Sequence, residues 1–143
     1  MAGLLPAFPS SFPFTAMIPV RITDVNYGNH VGNDAVLSLL HEARMQFLSH
    51  YGFTELNCGG AGLIMRDVVI EFKKEIHYGQ SLRIDVVASD LSKVSFDLYY
   101  RIRIGDTAAP AVLAKTGMVC FDYRAKKIMA VPEVVKTAFE TNN

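Results

Sequence analysis

The sequence predicts an α+β domain in which an antiparallel sheet packs against one long helix. A helical hydrophobic repeat covers about residues 34–51, and β-branched and aromatic runs separated by short turn signals fill most of the chain after it. Parallel strands need long crossover connections, so the short turns favour antiparallel neighbours. The chain has 143 residues, of which 50% are hydrophobic, and this fits one domain with a substantial core.

An extended arm opens the chain. Residues 1–13 are rich in Pro, Phe and Ser, and they lack the basic start of a secretion signal. We assign residues 14–143 to the folded domain. Its first strand is predicted at Phe14–Ile22, where apolar and polar residues alternate, and Pro19 places this strand near a sheet edge.

A polar loop, DVNYGNHVGND, separates this strand from the helix. Asn33 or Asp34 is a suitable N-cap, and Gly52 is a stop signal after about Tyr51. Apolar side chains cover about half of the helix circumference, which indicates a helix wrapped by a sheet. Arg44 falls inside that apolar arc, so it must reach solvent or pair with a carboxylate.

Further strands are predicted after the glycine-rich run Gly59–Gly62. They are separated by turn signals that contain Gly, Ser and Asp. The tail Pro132–Phe139 fits a short helix. The predicted strands are Leu63–Phe72, Leu82–Val87, Val94–Ile104 and Val112–Tyr123.

Composition and charge exclude several classes of function. Fourteen Lys and Arg residues balance fourteen Asp and Glu residues, so nucleic-acid binding is not expected. Cys58 and Cys120 are too few and too far apart for a disulfide framework or a zinc cluster, so we expect no metal and reduced thiols. No uninterrupted apolar stretch is long enough to span a bilayer. These features predict a cytoplasmic protein that does not bind membranes.

Two local motifs have simpler interpretations than catalysis. The GGAG run at Gly59 lacks the Lys and the Ser or Thr of a phosphate-binding loop, so a flexible loop is favoured. Cys58 has no activating neighbour in the sequence, so a structural thiol is favoured over a nucleophile.

The segment ITDVNYGNHVGNDAVLSLLHEAR, from Ile22 to Arg44, resembles the loop and helix of hotdog-fold acyl-CoA thioesterases of the 4-hydroxybenzoyl-CoA thioesterase type. The stretch HYGQSLRIDV from His77 and the stretch AKTGMVCFD to Asp122 are similar to two strands of the same family. The resemblance implies a hotdog fold, in which five or six antiparallel strands wrap around the central helix. It also implies hydrolysis of an acyl-CoA thioester to the free acid and coenzyme A.

The chain departs from the family pattern where the chemistry is expected. In a gapless match, Asn26 takes the place of the family's catalytic carboxylate, and an amide is neither a nucleophile nor a base. Asp24, two residues earlier on the same face of an extended segment, is our first choice for the activating carboxylate; a carboxylate that stabilises the loop through an Asx turn is the alternative. Asn26 would then hold the attacking water. Glu42 on the helix is the other carboxylate, but a partner of Arg44 or a surface charge is the favoured interpretation.

The start of the helix supplies the other expected groups. Its unpaired backbone N–H groups lie at the positive end of the helix dipole, where a carbonyl oxygen gains charge during hydrolysis. The resemblance implies that Asn33 is such a donor. His30 is expected to bind the thioester or to orient water; alternatively, it fixes the turn by hydrogen bonds.

The same resemblance implies the ligand and the assembly. Coenzyme A would enter as part of the substrate, with no separate cofactor, and Arg66, Lys73, Lys74 and Lys93 are candidate phosphate contacts. A single sheet around one helix leaves an edge exposed, so a homodimer or homotetramer is expected. Two alternatives remain: a non-hydrolytic acyl-CoA-binding or regulatory protein, and a structural partner protein that uses the arm from Leu4 to Phe14.

Overall fold

A computed structural model describes residues 8–141, so the prediction for residues 1–7 of the arm lies outside the described residues. One long helix and a short C-terminal helix accompany a six-stranded sheet. The elements are β1 (Phe14–Pro19), a 3₁₀ turn (Ile22–Asp24), α1 (Asn33–His50), β2 (Gly62–Phe72), β3 (Ser81–Ser89), β4 (Ser95–Ile104), β5 (Pro110–Asp122), β6 (Lys127–Ile128) and α2 (Glu133–Thr141).

The sheet is antiparallel throughout, as predicted. Its strand order is β1-β3-β4-β5-β2, and the short strand β6 pairs with β5. In this order β1 and β2 are edge strands, each hydrogen-bonded on one side. The helix α1 contacts β1 and β3 and buries one face against the sheet.

Element boundaries differ from the sequence-based predictions by at most three residues. Strand β1 ends at Pro19 because the chain then turns into a 3₁₀ segment. Gly32, rather than Asn33 or Asp34, is the N-cap of α1. At the other end Tyr51 is the C-cap, and Gly52 follows with φ +82°, a conformation that glycine adopts without strain. The two-residue strand β6 carries no sequence signal of its own.

The core lies between α1 and the inner face of the sheet. Leu39, Leu40 and Phe47 of α1 are buried there. Helix α2 closes one end of this core: Phe139 is fully buried, and its ring lies 5.6 Å from that of Phe47 and 5.1 Å from that of Phe96.

A buried charge occupies the outer face of the sheet. The carboxylate of Asp85 on β3 accepts hydrogen bonds from Arg101 and Arg103 on β4, each with an N–O distance of 2.8 Å. Thr15 on β1 donates to the same carboxylate at 2.6 Å. Burial alone would raise the pKa of Asp85, but these donors hold it below its ordinary value.

The described part of the arm lies on this outer face. The ring of Phe8 packs edge-on against Tyr99 of β4, with a centroid distance of 5.6 Å. Phe12 lies under the guanidinium of Arg101, 4.5 Å from the ring centroid, and this is a cation–π contact.

The glycine-rich run forms the turn between α1 and β2, and α2 packs onto it. Gly59 has φ +64°, and a Cβ there would lie 2.7 Å from Val134 and 2.8 Å from Val135 of α2. The neighbouring Cys58 is fully buried, and burial, with a smaller contribution from Cys120, raises the pKa of its thiol to about 12. The thiol is therefore protonated at neutral pH, which agrees with the structural role that was favoured.

Within residues 8–141, neither helix has the length and apolar character needed to cross a membrane.

Candidate active site

The loop before α1 is closed on itself by backbone hydrogen bonds. Asn26 N–H donates to the carbonyl of His30 at 2.9 Å, and Asn29 N–H donates to the carbonyl of Asn26 at 3.1 Å. Asn29 takes the left-handed conformation, with φ +63°. Val31 N–H donates to the carbonyl of Ile76 at 2.7 Å. The loop is thus fixed to the segment between β2 and β3.

His77 adds a side-chain contact to this attachment. Its Nδ1 lies 3.0 Å from the carbonyl oxygen of Asn29, and the backbone of His77 forms a bridge with that of His30. The sequence does not indicate this contact, because the two segments lie far apart in the chain and a lone histidine before a turn carries no signal of a long-range partner.

The ring of His30 presents one nitrogen that has no partner among the described residues. Its Nδ1 lies 3.3 Å from the carbonyl oxygen of Val31. A proton on Nδ1 that donates to this carbonyl leaves the lone pair on Nε2. Nε2 is therefore the ring atom available to accept a proton.

Asn26 lies beside this ring. A Cβ on Gly28 would lie 3.2 Å from both the Asn26 side-chain oxygen and the His30 ring, so the two side chains flank the same glycine. Asn26 Oδ1 accepts from Gly28 N–H at 2.9 Å, and its Nδ2 lies on the side of Gly32. The amide N–H groups of Asn26 thus point toward the start of α1.

The first turn of α1 has free donors. Gly32 provides no side-chain cap, and the first backbone bond of the helix runs from Val36 N–H to the Gly32 carbonyl at 3.1 Å. The N–H groups of residues 33–35 have no intrahelical acceptor. Such N–H groups, together with the helix dipole, suit a carbonyl oxygen that acquires negative charge, and the role of Asn33 as a donor remains a prediction.

A cleft of about 220 Å³ opens at this helix start. His30 and Asn33 line it, together with Lys73, Lys74 and Glu75 from the segment that follows β2. The structure therefore brings together two of the predicted catalytic residues and two of the predicted phosphate contacts. Asn26 lies beside His30 but does not line the cleft, and its role remains a prediction. Glu75 was not among the sequence-based candidates, because a charged residue in a turn has no distinguishing pattern.

Arg66 and Lys93 do not line this cleft. Arg66 pairs with the adjacent carboxylate of Asp67, with an N–O distance of 3.3 Å. Lys93 lies in the turn between β3 and β4, where its carbonyl accepts from Val131 N–H at 2.9 Å. Their roles in binding phosphate remain predictions.

The carboxylate of Asp24 is hydrogen-bonded within the turn that contains it. Its side chain is 5% exposed; the carboxylate accepts from Arg21 N–H at 2.8 Å and lies 3.4 Å from the Arg21 guanidinium. Asp24 does not line the cleft. Its catalytic role remains a prediction, and these contacts favour the alternative of a loop-stabilising carboxylate.

Glu42 lies on another side of α1. It lines a separate cavity of about 400 Å³ between α1 and β1, and it accepts a hydrogen bond from Gln46 at 2.8 Å. The carboxylate next to Arg44 belongs instead to Glu55, 3.6 Å from the arginine Nε. This larger cavity holds neither His30 nor the helix start, so the smaller cleft is the candidate active site.

Among residues 8–141, no three His, Cys, Asp or Glu side chains are grouped so as to hold a metal ion.

The sequence is similar to those of known proteins. Residues 20–139 match the family described as the thioesterase-like superfamily. A candidate esterase of Synechocystis is 29% identical over 126 residues, which cover 86% of this chain and 76% of that protein.

Solved structures share the fold. The 1,4-dihydroxy-2-naphthoyl-CoA thioesterase Slr0204 of Synechocystis superposes with a TM-score of 0.79 at 24% identity, covering 88% of this chain and 94% of that one. A Thermus thermophilus thioesterase complexed with coenzyme A and Zn gives 0.81 at 17% identity, with coverage of 93% and 96%. The predicted hotdog architecture is therefore confirmed.

Proposed function

Because this chain belongs to the thioesterase-like superfamily, we propose that it hydrolyses an acyl-CoA thioester to the free acid and coenzyme A. The observation that carries this proposal is the cleft that is lined both by His30 and by the start of α1, whose first N–H groups have no intrahelical acceptor. Thioester hydrolysis requires an activated water and donors for the carbonyl oxygen, and this cleft has groups suited to both tasks.

The α1 start would bind the thioester carbonyl. The N–H groups of Asn33 and its neighbours point out of the first helical turn. Their dipoles are fixed before the reaction, so they stabilise the oxyanion of the tetrahedral intermediate without reorganisation. Removal of one such donor costs about 10²–10³ in kcat in other acyl-transfer enzymes.

His30 is the base in this proposal. Its Nε2 takes a proton from water, and the water oxygen then attacks the carbonyl carbon. When the intermediate collapses, the C–S bond breaks and the imidazolium returns the proton to the coenzyme A thiolate. Asn26 Nδ2 orients the water, a task for which an amide suffices. We choose His30 rather than Asp24 as the base because His30 lines the cleft and Asp24 does not.

Lys73 and Lys74 would bind the phosphates of coenzyme A. Lys73 already pairs with Glu71 at 3.1 Å. Both side chains are exposed at the cleft rim, where a flexible ammonium can follow a phosphate. The Thermus thermophilus structure, which holds coenzyme A, supports the choice of ligand class.

We also propose that the protein forms a homodimer. Strand β2 is an edge strand of 11 residues, and it exposes Met65, Val68 and Phe72 on the side of α1. A long apolar edge that stays open invites pairing with another chain. A second copy that pairs along β2 would cover the edge next to the cleft.

Hydrolysis of a panel of acyl-CoAs by the wild type, His30→Gln, Asp24→Asn and Asn26→Asp tests this function. We expect His30→Gln to lose about 10²–10⁴ in kcat, which is typical of a lost general base, and Asp24→Asn to change stability more than rate. Asn26→Asp adds the carboxylate of the family pattern and should raise the rate. Full activity of His30→Gln would rule out His30 as the base.

A non-hydrolytic acyl-CoA-binding protein is the second candidate. The observation that favours it is the amide of Asn26 where the family pattern has a carboxylate. Calorimetric binding of acyl-CoAs without turnover, combined with hydrolysis by Asn26→Asp, would support this function over the first.

A further inference from the structure

One carboxylate lines the cleft that holds His30 and the start of α1. Among the described residues that line this cleft, Glu75 alone carries a carboxyl group. The two carboxylates that the sequence suggested, Asp24 and Glu42, lie elsewhere. Hydrolysis of a thioester requires groups that accept a proton or a hydrogen bond from water, and Glu75 is an acceptor that the proposed function does not use.

The backbone places Glu75 on the same face as His30. His30 and His77 lie opposite each other in an antiparallel bridge. The next pair, Val31 and Ile76, is joined by a hydrogen bond of 2.7 Å, and both of its side chains are buried. Because side chains alternate between the two faces of extended segments, His30, His77 and Glu75 lie together on the face opposite to the buried pair.

The contact between Glu75 and His77 agrees with this placement. Oε2 of Glu75 lies 3.6 Å from Nε2 of His77, so the two side chains lie on one side of their segment. Glu75 and His30 are diagonal neighbours across the bridge, and such pairs are about 7–8 Å apart at Cα, within reach of long side chains. One water molecule can therefore hydrogen-bond to both the carboxylate and the imidazole of His30.

The carboxylate of Glu75 is available to bind this water. Its side chain is 68% exposed, and its distance from His77 is too long for a hydrogen bond. Nδ1 of His77 lies 3.0 Å from the carbonyl oxygen of Asn29. A neutral His77 that donates from Nδ1 presents only a lone pair at Nε2, so it does not occupy the acceptor sites of Glu75.

On the basis of the proposed function, we infer that Glu75 is a second catalytic residue, whose carboxylate binds the attacking water together with His30. The water donates one O–H to Nε2 of His30, which takes this proton, and the other O–H to the carboxylate. Its oxygen then attacks the carbonyl carbon, the C–S bond breaks and the imidazolium returns the proton to the thiolate. Glu75 stays ionised throughout. Two acceptors fix the direction of the water lone pair, and the negative charge stabilises the imidazolium.

The charges of the cleft distinguish catalysis from substrate binding. Lys73 and Lys74 line the cleft with Glu75, so two ammonium groups and one carboxylate face an anionic substrate. Removal of the negative charge should therefore strengthen the attraction of coenzyme A to the cleft. A lower kcat without a higher KM is the result that a catalytic role of Glu75 predicts.

Glu75→Gln tests this role, and the exposed position of Glu75 means that the fold should be retained. We expect kcat to fall about 10- to 100-fold, as for the loss of a hydrogen bond to a charged group, without a rise in KM. Glu133→Gln, the same change at an exposed carboxylate of α2, is the matched control and should keep the wild-type rate. Circular dichroism checks that both variants are folded. An unchanged kcat in Glu75→Gln would overturn the inference.

An alternative nucleophile separates the activation of water from the placement of the substrate. Neutral hydroxylamine attacks the thioester through its nitrogen, forms a C–N bond and releases the coenzyme A thiol. It yields a hydroxamate without the activation that water requires. In Glu75→Gln the formation of hydroxamate should therefore fall much less than hydrolysis. Equal losses of both reactions would overturn the inference.

A double variant shows whether Glu75 acts through His77. If Glu75 only holds His77 in place, Glu75→Gln should have no further effect on kcat in the His77→Asn background. We expect instead the same loss in both backgrounds, because the carboxylate binds water directly. Disappearance of the loss in the double variant would overturn the inference.

The wild-type rate separates this inference from the proposed function. If the wild type hydrolyses acyl-CoAs and Glu75→Gln hydrolyses them equally fast, the function stands and the role of Glu75 fails. If the wild type hydrolyses none of them, both fail.

Discussion

The hydrogen bond between His77 and Asn29 holds the loop that carries His30. In His77→Leu this bond is lost, and we expect kcat to fall about tenfold with a smaller change in KM, because misplacement by about 1 Å lowers the fraction of reactive geometries. His77→Asn places an amide N–H near the position of Nδ1, so most of the rate should return. Steady-state kinetics of both variants give the measurement.

Partial unfolding would also lower the apparent kcat at constant KM, so kcat is referred to the folded fraction measured by circular dichroism. The pH profile of kcat/KM should keep its shape in both variants, since His30 remains the base. Identical losses in His77→Asn and His77→Leu would show that the hydrogen bond does not matter.

Asp85 makes stability depend on pH. Its pKa is held below the ordinary value of about 3.9 by Thr15, Arg103 and Arg101. A carboxyl group whose folded pKa is depressed stabilises the fold above its unfolded pKa, and this contribution is lost as the pH falls through the folded pKa. Asp85→Asn should therefore lose about 2–4 kcal/mol of unfolding free energy at pH 7, because two guanidinium groups lose their partner.

Urea denaturation of the wild type and Asp85→Asn from pH 7 to pH 3 gives the measurement. The difference between the two proteins should be constant down to about pH 5 and should shrink below about pH 4. Asp106→Asn is the control, because its exposed pair with Arg83 is worth little. A difference that does not depend on pH would contradict the ion-pair explanation.

The candidate site was partly predictable at the level of single residues. His30 and Asn33 were candidates because their loop resembles the family motif, and Lys73 and Lys74 because they are basic residues that could contact phosphate; all four line one cleft. The contacts of Asp24, Glu75 and His77 were not predictable. They depend on which side chain each turn directs inward, and turn geometry is set by backbone hydrogen bonds that a single sequence does not specify.

At the scale of elements, Gly59 permits α2 to pack against the turn before β2. Gly59→Ala should lower the free energy of unfolding by about 2–4 kcal/mol, because the new methyl group meets Val134 and Val135 and the residue also keeps a positive φ. Gly60→Ala is the matched control: it also has a positive φ, +104°, but nothing lies within 4 Å of its added Cβ. The two thermal unfolding curves give the comparison.

The difference between these two variants isolates the steric contact with α2. If Gly60→Ala lowers the free energy of unfolding as much as Gly59→Ala does, the backbone conformation alone accounts for the lost stability.

Most elements were predicted because their patterns are long. The helical repeat of α1 and the β-branched runs of β2 to β5 extend over many residues, so their periods are clear. The boundaries were less certain: the end of β1 depends on the turn closed by Asp24, and β6 forms only because β5 offers it an edge. The partners of Arg44 needed the tertiary structure, since Tyr100 and Glu55 lie on other elements.

At the scale of the whole molecule, the exposed β2 edge predicts self-association. Sedimentation should show a species of at least twice the 15.8 kDa of one chain. Val68→Lys, in the middle of β2, should shift the equilibrium to monomer, because charge on an edge strand opposes pairing. Met17→Lys on the other edge strand, where Met17 is 59% exposed, is the control and should leave the mass unchanged. A wild-type monomer at micromolar concentration would contradict this prediction.

The chain has no Trp, so the usual fluorescence signal for unfolding is absent, but the two fully buried, protonated thiols supply a substitute. Burial raises the pKa of Cys58 to about 12 and that of Cys120 to about 11, so neither reacts with an alkylating reagent while the core is closed. Alkylation of either thiol therefore requires local unfolding that exposes it to solvent. Cys58 lies in the turn under α2, and Cys120 lies on β5, which pairs with β4 and β2 inside the sheet. Mass spectrometry of each labelled site would therefore report separately how often the α2 end and the sheet open in the native protein.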